Sequence, residues 1–304
     1  MALGSNHVTN TTADKFIPEI WSDEIIAAYK KSLVAANLFK KMSFTGKKGD
    51  TIHIPSPTRG VASLKAAETQ VTLQAATETE INVLVDKHYE YSRLIEDITE
   101  VQALSSLRRF YTEDAGYALS KQVDTSLIQL GRGFNGGAGT AAYGGAYIGG
   151  DGTTTYNSGT PNASALTDAA IRRTIQRLDD NDVPMDGRFF LIPPSARNTL
   201  MGLSRYTEQA FVGEVGGGNT IRNGEIGNLY GIPVFVSSNC DTATGAARIA
   251  LLGHKDAAVL VEQQGVRSQT QYKQEYLGTL YTADTLYGVK ELRDGSCFAL
   301  AVPA

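Results

Sequence analysis

The stretch "EINVLVDKHYEYSRLIEDIT", residues 80–99, runs from an alternating pattern into the start of a helical one. Over residues 80–91 the apolar side chains fall on one face of a strand and the polar ones on the other, with Leu84 and Lys87 as the exceptions. The pattern predicts a single strand that is buried on one face. Its apolar positions are Ile81, Val83, Val85, Tyr89 and Tyr91, and its polar positions are Glu80, Asn82, Asp86, His88 and Glu90.

A long helix is predicted directly after this strand. Either of two capping boxes within residues 97–102 can begin it. Apolar residues then recur at helical spacing up to Gly131, which predicts about 30 helical residues, or roughly 45 Å of rod. A break near Gly116 is the alternative.

The strand needs a partner, and the segment "GKKGDTIHIP", residues 46–55, offers one. Thr51 to Ile54 alternate, and Pro55, Pro57 and Gly60 end the pattern. About two dozen mostly small and polar residues separate the two arms, which is long for a connection inside a compact domain. Because an isolated two-stranded hairpin is marginally stable in water, this hairpin is expected to lie on its own body or on another copy of the chain.

The remaining segments follow a simple order. A polar arm precedes a helix that begins after Ser22 and carries an apolar stripe to Leu38. A Gly-rich segment, residues 131–164, is expected to be a flexible surface loop. Then come a helix capped by Thr167, a strand over residues 189–192, a helix over 194–203, strands at 226–230 and 234–237, two strands in 247–263, and a β-rich tail over 264–304.

Composition excludes several classes of protein. The 304 residues are 42% hydrophobic and 20% charged, which is typical of a globular chain. A net charge of -4 disfavours tight nucleic-acid binding. Cys240 and Cys297 lie among apolar strand formers and are expected to be buried free thiols. No signal sequence and no membrane-spanning run is recognised, so assembly in a cytoplasm is expected.

No motif predicts catalysis. The Gly-rich segment matches neither the P-loop nor the dinucleotide fingerprint, and "GLSRY" fails the nucleophile-elbow pattern. Asp86, His88 and Glu90 could ligate a metal in principle, but a solvated or inter-subunit polar face is preferred. The long helix carries charges that fit a solvated face or, alternatively, inter-subunit pairs: Arg108, Arg109, Glu113, Asp114, Lys121 and Asp124.

Four motifs in order resemble the tailed-phage major capsid protein with the Hong Kong 97-type fold. They are "GKKGDTIHIP", "VDKHYEYSRLIEDIT", "LTDAAIRRTIQRLDDNDVPMDGRFFLIPPSARNTL" and "GNLYGIPVFVSSN". The resemblance implies an α+β fold. Its parts would be an N-terminal arm (1–21), an N-terminal helix (22–44), an extended β-hairpin loop (45–92), the spine helix of a peripheral domain (93–131), an axial α/β domain (132–263) and the C-terminal β part of the peripheral domain (264–304).

The resemblance also implies a function. Members of this family assemble as pentamers and hexamers into an icosahedral shell around double-stranded DNA, so the chain is expected to be a non-enzymatic virion protein without a cofactor, assembled in the host cytoplasm. The arm before Phe16 is short, which implies a separate scaffolding protein. A portal and a candidate decoration protein are the other expected partners, DNA is contacted weakly, and no membrane is involved. Lysine cross-linking is not carried over to this chain.

The candidate inter-subunit residues lie on the hairpin and the long helix. They are Lys47, Lys48, Thr51, His53, Arg59, Lys65, Glu80, Asp86, His88, Glu90, Arg108, Arg109 and Asp114. An encapsulin-type nanocompartment shell protein is the nearest alternative. A nucleotide-binding α/β enzyme is a distant one, and a tail or decoration protein would show β repeats that the chain lacks.

Overall fold

The computed structural model describes residues 34–45, 48–57, 60–71, 73–74, 78–98, 106–135, 146–150, 152, 154–156, 163–203, 227–243 and 247–304. The predicted N-terminal arm, the first part of the predicted N-terminal helix and the first residue of the strand predicted at 226–230 lie outside these ranges. The elements are α1 (Ala35–Leu38), β1 (Lys40–Ser43), β2 (Thr51–Pro57), β3 (Glu78–Leu84), β4 (Lys87–Glu96), α2 (Ser106–Gln129), β5 (Tyr147–Ile148), α3 (Asp168–Asp180), β6 (Arg188–Ile192), α4 (Pro194–Met201), β7 (Asn228–Leu229), β8 (Ile232–Val236), β9 (Thr242–Ala243), β10 (Ala247–His254), β11 (Ala258–Lys273), β12 (Gly278–Glu291) and β13 (Cys297–Pro303).

A four-stranded sheet has the order β1-β11-β12-β4, in which β1 is parallel to β11 and the other pairs are antiparallel. The strand β1 corrects the prediction of a helix through residue 44. Phe39 takes an extended backbone conformation that ends α1, and the next four residues pair with Val259 to Glu262 of β11. A tertiary ladder therefore overrides the local helical pattern at this point.

A second sheet has the order β5-β13-β10-β6-β8-β7, with β9 paired to β10. Alternate residues of its central strands face two cores. Leu251 packs on the side of the long helix with Leu127, whereas Leu252 packs on the side of α3 with Leu178. The predicted strand over 189–192 is confirmed as β6, and the Thr167 hydroxyl caps α3 by accepting the Ala170 N–H.

The predicted domain boundary at residue 264 falls inside a strand. The strand β11 runs through it without interruption, and β13 leaves the tail to pair with β10 in the second sheet. The alternation of the tail predicted its strands correctly, but alternation carries no information about which sheet a strand joins.

The hairpin forms a two-stranded sheet in which β2 and β3 pair from Thr51 opposite Leu84 to Pro57 opposite Glu78. The predicted single return strand is divided into β3 and β4, which belong to different sheets. Val85 and Asp86 form the junction between them, and the Val85 N–H donates to the Asp50 carbonyl at 2.8 Å. The alternating burial nevertheless continues across the junction, as the sequence predicts.

The long helix is confirmed over 24 described residues, or about 36 Å at 1.5 Å per residue. It continues through Gly116, so the alternative of a break there is wrong. Ala115, Leu119 and Leu127 are buried along it. Asp124 corrects the prediction of a solvated charged face, because it is only 1% exposed.

The described part of the Gly-rich segment is not a surface loop. Residues 147–148 form β5, which pairs in parallel with Leu300 and Ala301 of β13. Ala146, Gly149 and Tyr156 are buried beside it. Backbone hydrogen bonds order this segment, and they require no apolar pattern in the sequence.

The segment "GNLYGIPVFV" forms a tight hairpin between β7 and β8. Tyr230 and Gly231, the two turn residues, both have positive φ, at 52° and 79°. This is the backbone that a two-residue hairpin with right-handed strand twist requires. The strand predicted at 234–237 is confirmed as β8, which begins earlier, at Ile232, and pairs in parallel with β6. Tyr230, predicted as the end of the preceding strand, is instead a turn residue.

Candidate inter-subunit surface

The β2–β3 hairpin carries the first group of candidate residues. Lys48 and His53 are exposed, Glu80 is exposed on the opposite strand, and Thr51 is half-buried. The His53 Nδ1 lies 3.1 Å from Glu80 Oε2, so these two side chains meet across the hairpin. Lys47 and Arg59 lie outside the described residues.

The hairpin base is the part of the hairpin that contacts the rest of the chain. Val83 and Val85 are buried against Val259 and Val261 of β11. Half-buried apolar side chains surround them, namely Met42, Phe44, Ile52, Ile54, Leu286 and Leu292. The hairpin base therefore lies on the chain's own four-stranded sheet, which is one of the two supports expected from the sequence.

The hairpin connection, residues 60–71 with 73–74, is exposed throughout, including Lys65. None of its residues belongs to a core cluster formed by the described residues. Four large apolar side chains are nonetheless displayed on it. They are Val61, Leu64, Val71 and Leu73, which are 77%, 102%, 64% and 92% exposed.

One amide side chain holds the two sides of the connection together. Gln74 Oε1 accepts the Val61 N–H at 3.1 Å, and Gln74 Nε2 donates to the Val61 carbonyl. The last pair of the β2–β3 ladder is Pro57 opposite Glu78. Beyond this pair, the Gln74 side chain makes the two hydrogen bonds to Val61 that the backbone of a paired strand would otherwise make. The apolar residues of the connection are displayed on a closed loop.

The strand β4 and the junction before it carry the second group of candidates. Asp86, His88 and Glu90 are exposed, and the His88 Nε2 lies 3.2 Å from Asp284 Oδ2. Arg267 donates to both oxygens of Asp284, at 3.1 and 2.8 Å. Hydrogen bonds from the Arg267 guanidinium hold the pKa of the Asp284 carboxyl below its usual value, and His88 contributes in the same direction.

This Asp284 cluster lies where β11 is irregular. The register with β12 shifts between Glu262 and Gln264 and again between Gln264 and Arg267. Gln264 donates to Asp284 Oδ2 at 3.0 Å and accepts from Thr285. The cluster therefore lies at the β-bulges of β11, and His88 is one of its partners. Among the described residues no group of three or more His, Cys, Asp and Glu could hold a metal ion.

The long helix carries the third group. Asp114 accepts a hydrogen bond from the Tyr91 hydroxyl at 3.0 Å, so it binds β4 to α2 within the chain. The Arg93 guanidinium lies 5.7 Å from the Tyr91 ring centroid and 5.4 Å from that of Tyr111. Arg108 and Arg109 lie in the first turn of α2, and their side chains are outside the described part.

Asp124 is a structural residue that the sequence prediction assigned to the wrong environment. Its Oδ1 accepts the Ala35 N–H at 2.7 Å, and its Oδ2 accepts from Asn239 Nδ2 at 2.9 Å. Burial raises the pKa of the Asp124 carboxyl, and these hydrogen bonds oppose the increase. The sequence contains one indication that Asp124 is buried. It lies three and four residues before Leu127 and Ile128, and this spacing places it beside the buried stripe of the helix.

The two cysteines are confirmed as buried free thiols. Burial raises the pKa of Cys240 to about 12 and also raises the pKa of Cys297. A thiolate is the reactive form of cysteine, so neither thiol is an activated nucleophile near neutral pH. In the described ranges, no helix combines the length and the apolar character that crossing a bilayer requires.

Comparison with known proteins gives a consistent result. The model of a family described as phage capsid protein matches residues 96–294. A chain from Mycobacterium phage Che8 is similar in structure with a TM-score of 0.75 and 24% identity, over 94% of this chain and 97% of that one. The capsid structure of the cyanophage P-SCSP1u gives a TM-score of 0.75 and 19% identity, over 99% and 96%.

A third solved structure, the asymmetric unit of the mature capsid of bacteriophage PhiM1, gives a TM-score of 0.72 and 13% identity, over 99% of this chain and 97% of that chain. At such identities the structural likeness concerns the fold, which is a mixed α/β fold similar to those of phage capsid structures. No curated protein sequence matches the chain.

Proposed function

Because the chain belongs to the phage capsid protein family, we propose that it is the major capsid protein of a tailed phage and assembles as pentamers and hexamers into an icosahedral head shell. The shell would enclose a double-stranded DNA genome. In the Hong Kong 97-type arrangement, residues 45–92 are the extended loop and α2 is the spine helix. The second sheet with α3 and α4 is the axial domain.

The hairpin connection carries this proposal. Val61, Leu64, Val71 and Leu73 are exposed on it, although similar side chains in the hairpin base are buried. Burying one large apolar side chain stabilises a protein by about 1.5–3 kcal/mol. Four such side chains on one closed loop, without a partner among the described residues, fit a surface that is completed by a neighbouring copy.

The charged candidates are assigned according to their contacts. Lys48, His53, Lys65, Glu80, Asp86 and Glu90 are exposed, and we propose that they and the half-buried Thr51 contact a neighbouring copy. Asp114 and His88 make contacts within the chain, and we propose that they hold the strand β4 in place rather than contact a neighbouring copy directly. Lys47, Arg59, Arg108 and Arg109 remain proposed contacts on the sequence alone.

We propose a structural role without catalysis. Membership of a capsid family supports it, and so does the inert state of both thiols. A separate scaffolding protein, a portal and a decoration protein are proposed partners. The net charge of -4 fits a wall that contacts packaged DNA weakly. Assembly in the host cytoplasm and residence in the virion complete the proposal.

Electron microscopy of the expressed protein, with its scaffolding protein where needed, tests this function. We expect closed shells or capsomers, and a protein that stays monomeric under all assembly conditions would contradict the proposal. Shells that hold a packaged enzyme instead of DNA would identify a nanocompartment. Saturable tight binding of ATP or NAD in a calorimetric titration would indicate an enzyme.

A paired substitution tests the observation that carries the function. Leu64→Ser with Leu73→Ser should abolish shell formation and leave the thermal midpoint of the soluble protein unchanged. Met185→Ser is the matched control, because Met185 is an exposed apolar residue, 77% exposed, in the loop before β6. Shells formed by the double variant at the wild-type yield would show that the connection is not an inter-subunit contact.

A further inference from the structure

Gly288 lies in the interior of β12, at the point where the hairpin leaves the four-stranded sheet. On one side it pairs with Val261 of β11. On the other side the ladder with β4 ends one residue earlier, at Tyr287 opposite Lys87. The space that a further pair would occupy is filled instead by the junction between β3 and β4.

The backbone of this junction contacts Gly288 directly. A Cβ atom added to Gly288 would overlap the Leu84 carbonyl oxygen and would lie 3.1 Å from the Val85 Cα. Every atom that it would meet first belongs to backbone, so no side-chain rotation relieves the overlap. Glycine inside a strand is characteristic of places where another backbone approaches closely.

The same junction is fixed from two other directions. The Val85 N–H donates to the Asp50 carbonyl at 2.8 Å, which ties the junction to the start of β2. The side chains of Val83 and Val85 are buried against Val259 and Val261, and Val261 is the cross-strand neighbour of Gly288. The hairpin base is therefore packed, and its position over β12 depends on the absence of a side chain at Gly288.

We propose that Gly288 is a positioning residue for shell assembly, because its lack of a side chain lets the β3–β4 junction lie directly on β12 and so sets the direction of the hairpin. The proposal rests on the proposed function. Any shift at the junction is carried along the seven residues of β3 to the connection. There it moves Val61, Leu64, Val71 and Leu73 away from the surface that they are proposed to meet.

The variant Gly288→Ala tests the proposal, with Gly265→Ala as the matched control. Gly265 lies in β11 of the same sheet, and a Cβ at that position would meet no atom within 4 Å. Nitroxide labels on Lys65→Cys and Lys255→Cys report the direction of the hairpin in the unassembled protomer, since both native thiols are buried. Shell yield is measured separately by sedimentation and electron microscopy.

We expect Gly288→Ala to shift the label-to-label distance distribution and to lower the shell yield by about tenfold or more, because a symmetric shell repeats the misaligned contact at every copy. Gly265→Ala should match the wild type in both measurements. If Gly288→Ala gives the wild-type distance and yield, the proposal is overturned.

A second variant covers the case in which Gly288→Ala does not fold. One glycine inserted between Asp86 and Lys87 leaves Gly288 in place and lengthens the junction, so it should also shift the distance and lower the yield. Wild-type behaviour of this insertion would overturn the proposal too. If the wild-type protein itself forms no shells, the proposed function fails, whereas the label distances still decide whether Gly288 sets the hairpin direction.

Discussion

The hairpin base and the hairpin connection belong to one hairpin, but their apolar side chains are in opposite environments. Val83 in the base is fully buried against the four-stranded sheet, whereas Leu73 in the connection is 92% exposed. The apolar side chains of the base pack against residues of the same chain, whereas those of the connection pack against no described residue of the chain. The base therefore contributes mainly to the stability of the folded protomer. The connection is proposed to contribute mainly to the contact between copies in the shell.

Removing the connection should give the largest effect. We expect a variant in which Asn-Gly replaces residues 58–77, so that Pro57 is joined to Glu78 by a two-residue turn, to keep its fold and to form no shells. Circular dichroism and a thermal melt measure the fold, and electron microscopy measures assembly. Shells at the wild-type yield would place the assembly energy elsewhere in the molecule.

A matched pair of valines separates the two regions by stability. Val83→Ala removes methyl groups from a packed site and should lower the free energy of unfolding by about 1–3 kcal/mol. Val71→Ala removes the same atoms from an exposed site and should change it by about 0.5 kcal/mol or less. Urea titrations of the unassembled protein measure both values. Equal losses would mean that the connection is packed in the free protomer.

The sequence predicts which side chains of the hairpin are buried better than it predicts the sheets. Alternation from Ile81 to Tyr91 assigns the buried face correctly, yet it runs unbroken through a junction between two sheets. The junction is set by Gly288, which is about 200 residues away along the chain, and a local period contains no such information. Apart from Pro303, the strand β13 is buried throughout, so it has no alternation of buried and exposed residues that could indicate which sheet it joins.

The candidate site was predicted in part. The hairpin was recognised, but charged residues were selected, and the exposed apolar residues of the connection were overlooked within a mostly polar segment. Leu64 and Leu73 are isolated in that segment, which is the signal that could have identified them. Asp124 and Asp114 were predicted on a solvated face or in inter-subunit pairs, because helical spacing alone cannot show that α1 and β4 cover that face.

The Asp284 cluster, on the sheet that supports the hairpin base, should give a smaller effect that depends on pH. The pKa of Asp284 is lowered in the folded protein, so its ionised form contributes stability above the usual carboxyl pKa, and this contribution is lost as the pH falls through the lowered value. Asp284→Asn should therefore be less stable than the wild type at neutral pH. The difference should shrink as the solution is acidified below about pH 4.

Thermal melts of both proteins across this pH range measure the change. Lys290→Gln is the control, since it alters an exposed charge near the end of the same strand and should shift the midpoint little at any pH. A deficit of Asp284→Asn that stays constant down to pH 2 would contradict an ionic origin of the cluster's contribution.

Gln74 gives the smallest expected effect and the sharpest distinction between the two regions. Its amide joins the two sides of the connection through the Val61 backbone, at an exposed site where water competes for both hydrogen bonds. Gln74→Ala should therefore change the free energy of unfolding by about 0.5 kcal/mol or less. It should still slow shell formation, because a loosened loop must be ordered again when it meets a neighbouring copy. Light scattering during assembly measures this rate, and Gln269→Ala, an exposed glutamine of β11, is the control. Equal rates for the two variants would mean that the closed form of the connection is not the form that assembles.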